Sequence, residues 1–145
     1  MLSQLTYGAL LIAVTVMIHA VCLEGIMTAW RKISIEIEAR WRVLALSLTI
    51  IGIFAAHILE IWVWAIFYFY VGELETWENA LYFSTTSFTT VGYGDLVLSE
   101  NWRLLGSVES INGMILFGWS TAFIFAGVRR IYLHLYRDEA AQLSP

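Results

Sequence analysis

One short run in the middle of the chain, Thr89-Thr90-Val91-Gly92-Tyr93-Gly94-Asp95, has the residue types and order to do chemistry. Gly92 and Gly94, separated only by Tyr93, can enter positive φ without steric cost. A backbone whose hand alternates in this way turns consecutive main-chain carbonyls in the same direction. Stacked carbonyl oxygens can replace the hydration shell of a dehydrated cation, provided several such loops surround it. The chemistry is coordination, with no bond made or broken.

Such a loop needs elements that hold it away from bulk water, and the composition supplies them. Of 145 residues, 59% are hydrophobic and 14% charged, and the mean hydropathy is +0.71. That is too apolar for a soluble domain of this size. The only proline is Pro145, so none interrupts an apolar run. The formal charge of -4 comes from scattered acids. Cys22 has no second cysteine to pair with and reads as a small core hydrophobe. Three stretches, Leu5 to Ala29, Val43 to Val71 and Leu104 to Val128, are long enough to cross a hydrocarbon core of about 30 Å at about 1.5 Å per residue. The first lacks a basic start and exceeds a secretion-signal core of roughly 7 to 15 residues, so it reads as a retained span.

Arg31, Lys32, Arg40 and Arg42 follow the first stretch, and Arg129, Arg130 and Arg137 follow the third. The positive-inside rule puts both clusters in the cytoplasm and the segment from Gly72 to Asn101 outside. Within that segment, residues from Trp77 to Phe88 are apolar enough to enter the membrane and too few to cross it. Thr76 as N-cap and Glu78 in the first turn predict a short re-entrant helix from Trp77.

Thr90-Val91-Gly92-Tyr93-Gly94 is similar to the filter signature of potassium channels, the handful of residues by which that family is recognised. The likeness to small bacterial channels with two spans and a pore loop extends over roughly Val43 to Val128 and leaves the first stretch outside. It implies that potassium ions bind the carbonyls of Thr90, Val91, Gly92 and Tyr93 and the Thr90 hydroxyl, with Gly94 closing the filter. It further implies a homotetramer, hence three identical subunits as partners. Asp95, Tyr82 and Phe83 are the implied filter support, Tyr82 alone having a hydroxyl to offer Asp95. Thr86 stands where several relatives carry a glutamate. A Gly-x-Gly-Asp quartet also marks intramembrane aspartyl proteases, but Asp138, the only other aspartate, lies beyond the third stretch, so no enzyme is expected.

Ionisable residues inside spans are costly and must face protein or water. Glu60 and Glu109 both fall roughly 12 to 16 Å below the outer end at about 1.5 Å per residue. They are expected to meet behind the filter and, with Thr86, to supply the support of the missing glutamate; helix-to-helix glue is the plainer reading. His57, three residues from Glu60, is read as its hydrogen-bonded partner and not as a metal ligand, and His19 and Glu24 as packing or interfacial residues. Gly113 lines up with the hinge glycine of the related channels, and hinge and close packing both fit it. Phe117, Ala122, Phe125 and Ala126 are the candidate cytoplasmic constriction, and Glu73, Glu75, Glu78 and Glu100 an acidic outer mouth.

The expected fold is therefore an all-α membrane protein with three transmembrane helices, a re-entrant pore helix and a selectivity-filter loop, assembled as a tetramer. Its parts are an additional N-terminal helix (1–30), a cytoplasmic linker (31–42), a pore domain (43–130) and a short cytoplasmic tail (131–145). The expected setting is a bacterial inner membrane, N-terminus outside and C-terminus cytoplasmic, with membrane lipid and potassium as partners, no nucleic acid and no organic cofactor. A weakly selective cation channel, or a non-conducting sensor or assembly subunit, are the alternatives.

Overall fold

The computed structural model describes residues 2–31 and 39–142, and for residues 39 and 130–142 it describes the backbone alone. Among the described residues four helices follow one another: α1 (Leu2–Arg31), α2 (Ala39–Tyr70), α3 (Trp77–Phe88) and α4 (Arg103–Gln142). Most of the expected linker, residues 32–38, and the last residues of the expected tail, 143–145, lie outside the described residues. Apolar stretches long enough to cross a membrane occupy Leu2–Arg31, Arg40–Tyr70 and Arg103–Arg129. The helices overrun the expected spans: α2 starts at Ala39 and not Val43, and α4 continues past Val128.

Each boundary has a local cause. α2 ends in a Schellman turn, with Gly72 at φ +76°. The Glu73 N–H donates to the Tyr68 carbonyl at 3.2 Å and the Gly72 N–H to Phe69 at 3.1 Å. At the start of α3, extended Thr76 accepts from the Asn79 N–H at 3.1 Å, and Glu78 occupies the first turn. With 12 residues, α3 is about 18 Å long, well short of a bilayer core of about 30 Å.

α3 is wedged between α2 and α4, while α1 lies along α2 and α4 without reaching α3. The wedge is filled by Trp64, Tyr68, Ala80, Phe83, Phe88, Leu105 and Leu116, all buried. Phe83 meets Tyr68 edge to face at 5.2 Å, and Trp77 stacks on Phe69 at 4.0 Å. Large apolar side chains cover the outer faces of the long helices, among them Met17, Val21, Ile51, Phe54, Met114 and Ile115. That much exposed hydrocarbon suits a lipid solvent. Tyr7, Tyr70, Trp77 and Trp102 gather at one end of the bundle and Trp30 and Trp41 at the other, the distribution of interfacial aromatic belts.

Candidate functional site

After α3 the chain leaves helical geometry, and its handedness alternates. Thr90, Gly92 and Gly94 have φ of 62°, 51° and 77°, whereas Val91 and Tyr93 between them stay in the ordinary negative region. The glycines adopt these values freely. Thr90 is β-branched, so its left-handed backbone costs about 1–3 kcal/mol and must be imposed by its surroundings. Two bonds impose it: the Thr90 N–H donates to the Ser87 carbonyl and the Gly92 N–H to the Thr86 carbonyl, each at 3.0 Å. The loop thus hangs from the last turn of α3. Val91 is 52% and Tyr93 72% exposed, so their side chains face away from the body of the chain.

Tyr82 and Asp95 meet as expected, the Tyr82 hydroxyl donating to Asp95 Oδ2 at 2.8 Å. This bond holds the Asp95 carboxyl below its ordinary range and raises the Tyr82 phenol, since it favours the charged acid and the neutral phenol. Phe83 turns its ring inward against Tyr68 and Gly106, where it lines one cavity with Thr86, Thr90, Gly92 and Gly94, while Tyr82 makes the bond to Asp95. Thr86 also departs from expectation. Its hydroxyl donates to the Phe83 carbonyl at 3.0 Å, and it serves the loop through its main-chain oxygen. On the far side of the loop, Glu73 accepts from the Ser99 N–H at 2.8 Å and from the Ser99 hydroxyl at 2.9 Å. That carboxylate is a strut between the two connections and not a free member of an acidic mouth.

Glu60 and Glu109 do not meet. Both oxygens of each are occupied by other partners in two separate layers. Glu109 accepts from the Tyr68 hydroxyl at 2.8 Å and contacts the Ser84 hydroxyl at 2.5 Å, while Ser84 also contacts the Ile61 carbonyl at 2.8 Å. Three contacts need three hydrogens; Tyr68 and Ser84 supply two, and a carboxylic acid at Glu109 completes the set. Glu109 therefore ties α4 to α3 through Ser84. Glu60 sits eight residues before Tyr68 on α2, about 12 Å along the axis. Its Oε1 lies 2.9 Å from His19 Nδ1 and its Oε2 2.8 Å from His57 Nδ1. Ser120 Oγ lies 3.0 Å from His57 Nε2 and 3.2 Å from His19 Nε2. His19, expected as a packing or interfacial residue, is thus a fully buried member of a polar ring. Its 41-residue separation from Glu60 left no signal beyond the rarity of a histidine in a span. Ligand atoms of His19, His57 and Glu60 lie within 4.8 Å of one another.

Of the candidate hinge and constriction residues, Gly113 and Phe117 belong to the interior. α4 runs unbroken through Gly113, where a Cβ would overlap the Phe88 carbonyl oxygen, so close packing accounts for the glycine. Phe117 packs on the His57 ring at 4.6 Å and on Phe88 at 5.6 Å. Ala122, Phe125 and Ala126 are exposed, Phe125 by 68%. α1 is fastened to the other helices by Asn112 donating to Thr15 at 2.8 Å and Trp30 donating to Thr49 at 2.7 Å.

Residues 56–130, from the middle of α2 to the end of the apolar part of α4, match a family model described as ion channel. This is just over half of the 145-residue chain and includes α3 and the loop but not α1. No curated protein and no solved structure matches the chain.

Proposed function

We propose that this chain, which belongs to the ion channel family, is one of four identical subunits of a potassium-selective channel. The observation that carries the reading is the alternating hand of Thr90, Val91, Gly92, Tyr93 and Gly94. In an alternating stretch, successive carbonyls project to one side. Four copies around an axis would offer potassium the main-chain oxygens of Thr90, Val91, Gly92 and Tyr93 and the Thr90 hydroxyl in place of water. The exposure of Val91 and Tyr93 in the single chain supports an assembly in which neighbouring copies cover them.

The remaining parts then have roles. Tyr82 and Asp95 brace the outer end of the filter, and Glu109 with Ser84 braces α3 from behind. The C-terminal, negative end of α3 favours a cation beneath the filter. Ala122, Phe125 and Ala126 are free to form the inner constriction. The basic residues between the first two apolar stretches (Arg31, Lys32, Arg40 and Arg42) and after the third (Arg129, Arg130 and Arg137) favour an N-terminus outside and a C-terminus in the cytoplasm, and the resemblance to small bacterial channels makes a bacterial inner membrane the expected setting. Conduction is passive, with no covalent step.

Flux through purified protein in liposomes, with potassium and sodium gradients compared, tests the reading. Potassium flux that sodium cannot replace is expected. Equal sodium flux would leave a weakly selective cation channel, and absence of any flux a non-conducting subunit.

A further inference from the structure

The buried ring of Glu60, His19, His57 and Ser120 has a hydrogen inventory that does not balance as ordinarily written. It has four contacts, of 2.9, 2.8, 3.0 and 3.2 Å, each joining a histidine nitrogen to an oxygen. Each contact needs one hydrogen between its two heavy atoms. A carboxylate supplies none, two neutral imidazoles one apiece, and a hydroxyl one. The sum is three hydrogens for four contacts. With no fourth hydrogen, two lone pairs face each other in a site where His19 and Glu60 are wholly buried and His57 and Ser120 nearly so.

We propose that the ring is a binding site for one proton, and that this proton holds α1 and α4 against α2. With it, every contact is made and the net charge is zero: a carboxylate, one imidazolium and one neutral imidazole, or equally a carboxylic acid and two neutral imidazoles of opposite tautomer. Without it, the ring keeps a buried negative charge and loses a contact. α1 contributes His19, α2 contributes His57 and Glu60, and α4 contributes Ser120. The walls are aromatic: Trp119 against His19, and Phe88 and Phe117 against His57. Among the described residues no other ionisable side chain bonds to the ring. Glu109, the remaining buried acid, is engaged with Tyr68 and Ser84.

A divalent metal at the two Nδ1 atoms and the carboxylate is the competing occupant, with both Nε2–H groups then donating to Ser120. The distances disfavour it. Ligands about 2.0–2.1 Å from a tetrahedral zinc lie about 3.3 Å from one another, whereas the nitrogen–oxygen pairs are 2.9 and 2.8 Å apart, within hydrogen-bond range. A divalent ion with one carboxylate would also leave a net positive charge buried between apolar helices.

The site gives a role to α1, which lies outside the matched family region and here supplies one wall of a proton-dependent clasp on α4. Glu60→Gln separates this from a general need for polarity, because the glutamine N–H₂ supplies the fourth hydrogen itself and completes the ring with neutral imidazoles.

The test uses the full chain in lipid nanodiscs and does not depend on ion conduction. Nitrogen-15 histidine spectra are recorded at neutral pH in a His134→Gln background, which leaves only the two ring imidazoles. One imidazolium, or two neutral rings of opposite tautomer, is expected. Two neutral rings both protonated at Nδ1 would overturn the proposal, as would one tightly held metal ion per chain by elemental analysis. In Glu60→Gln, whose amide supplies the fourth hydrogen, the two rings should both be neutral and of opposite tautomer. Two rings both protonated at Nδ1 in a folded variant would also overturn the proposal.

Discussion

Gly113→Ala sets two effects of opposite sign against each other. In an isolated helix the change would stabilise α4 by about 1 kcal/mol, because alanine loses less backbone entropy than glycine. In this packing the new Cβ falls within the envelope of the Phe88 carbonyl, with the Phe88 Cδ1 also only 3.1 Å away. The obstructing atom is main chain at the end of α3 and cannot rotate aside, so α3 and α4 must separate by roughly an ångström or more. Overpacking of this kind costs about 1–3 kcal/mol, and a backbone obstacle puts the cost at the upper end of that range. The net expectation is a loss of about 1–2 kcal/mol after the helix-propensity gain of about 1 kcal/mol. Thermal unfolding in detergent micelles reads the sign directly. Phe88 lies two residues before Thr90, so the variant should also lose discrimination between potassium and sodium in liposome flux. A melting temperature equal to or above that of the parent, with discrimination intact, would refute the account of α3 seated on Gly113 and favour the hinge reading.

Tyr82→Phe removes the bond that keeps Asp95 acidic; the Asp95 carboxyl should rise toward its ordinary range, and acid inhibition of flux should begin at a higher pH than in the parent. The pair's contribution to stability, present above the unfolded carboxyl value and lost as pH falls through the depressed folded one, should vanish with it, as melting curves across acid pH would record. Glu109→Leu strands the Tyr68 hydroxyl, and the expected cost is about 1–3 kcal/mol. Glu109→Gln keeps an acceptor for Tyr68 and a donor for Ser84 but adds one N–H without a partner, and it should lose less stability than Glu109→Leu. Denaturant unfolding of the two variants separates this hydrogen count from a requirement for charge.

Features set by neighbours in the chain were legible in the sequence. The N-cap at Thr76, the start of α3 at Trp77 and the glycines of the loop depend on a few consecutive residues, and all three appear where the local chemistry puts them. The three apolar spans were legible because hydrocarbon thickness dictates their length. Contacts between helices were not. Counting residues from each helix end fixes neither the stagger of one helix against another nor the rotation about its axis, so Glu60 and Glu109, placed at similar depth, instead lie in layers about two turns apart along α2. The same ignorance of rotation hid the inward turn of Phe83 and Phe117 and the arrival of His19 from α1. Thr90 departs for another reason: its own preference opposes a positive φ, and the hydrogen bonds at the end of α3 override it.

In the proposed channel, main-chain oxygens of residues 90 to 93 from four chains stand in for the water around a dehydrated potassium ion. Diffraction from crystals grown with thallium in place of potassium measures this directly through the ion's anomalous scattering. A column of stacked peaks on a fourfold axis is expected, each peak ringed by carbonyl oxygens of those residues. Loops held apart from a common axis, or an axis carrying no thallium, would contradict it.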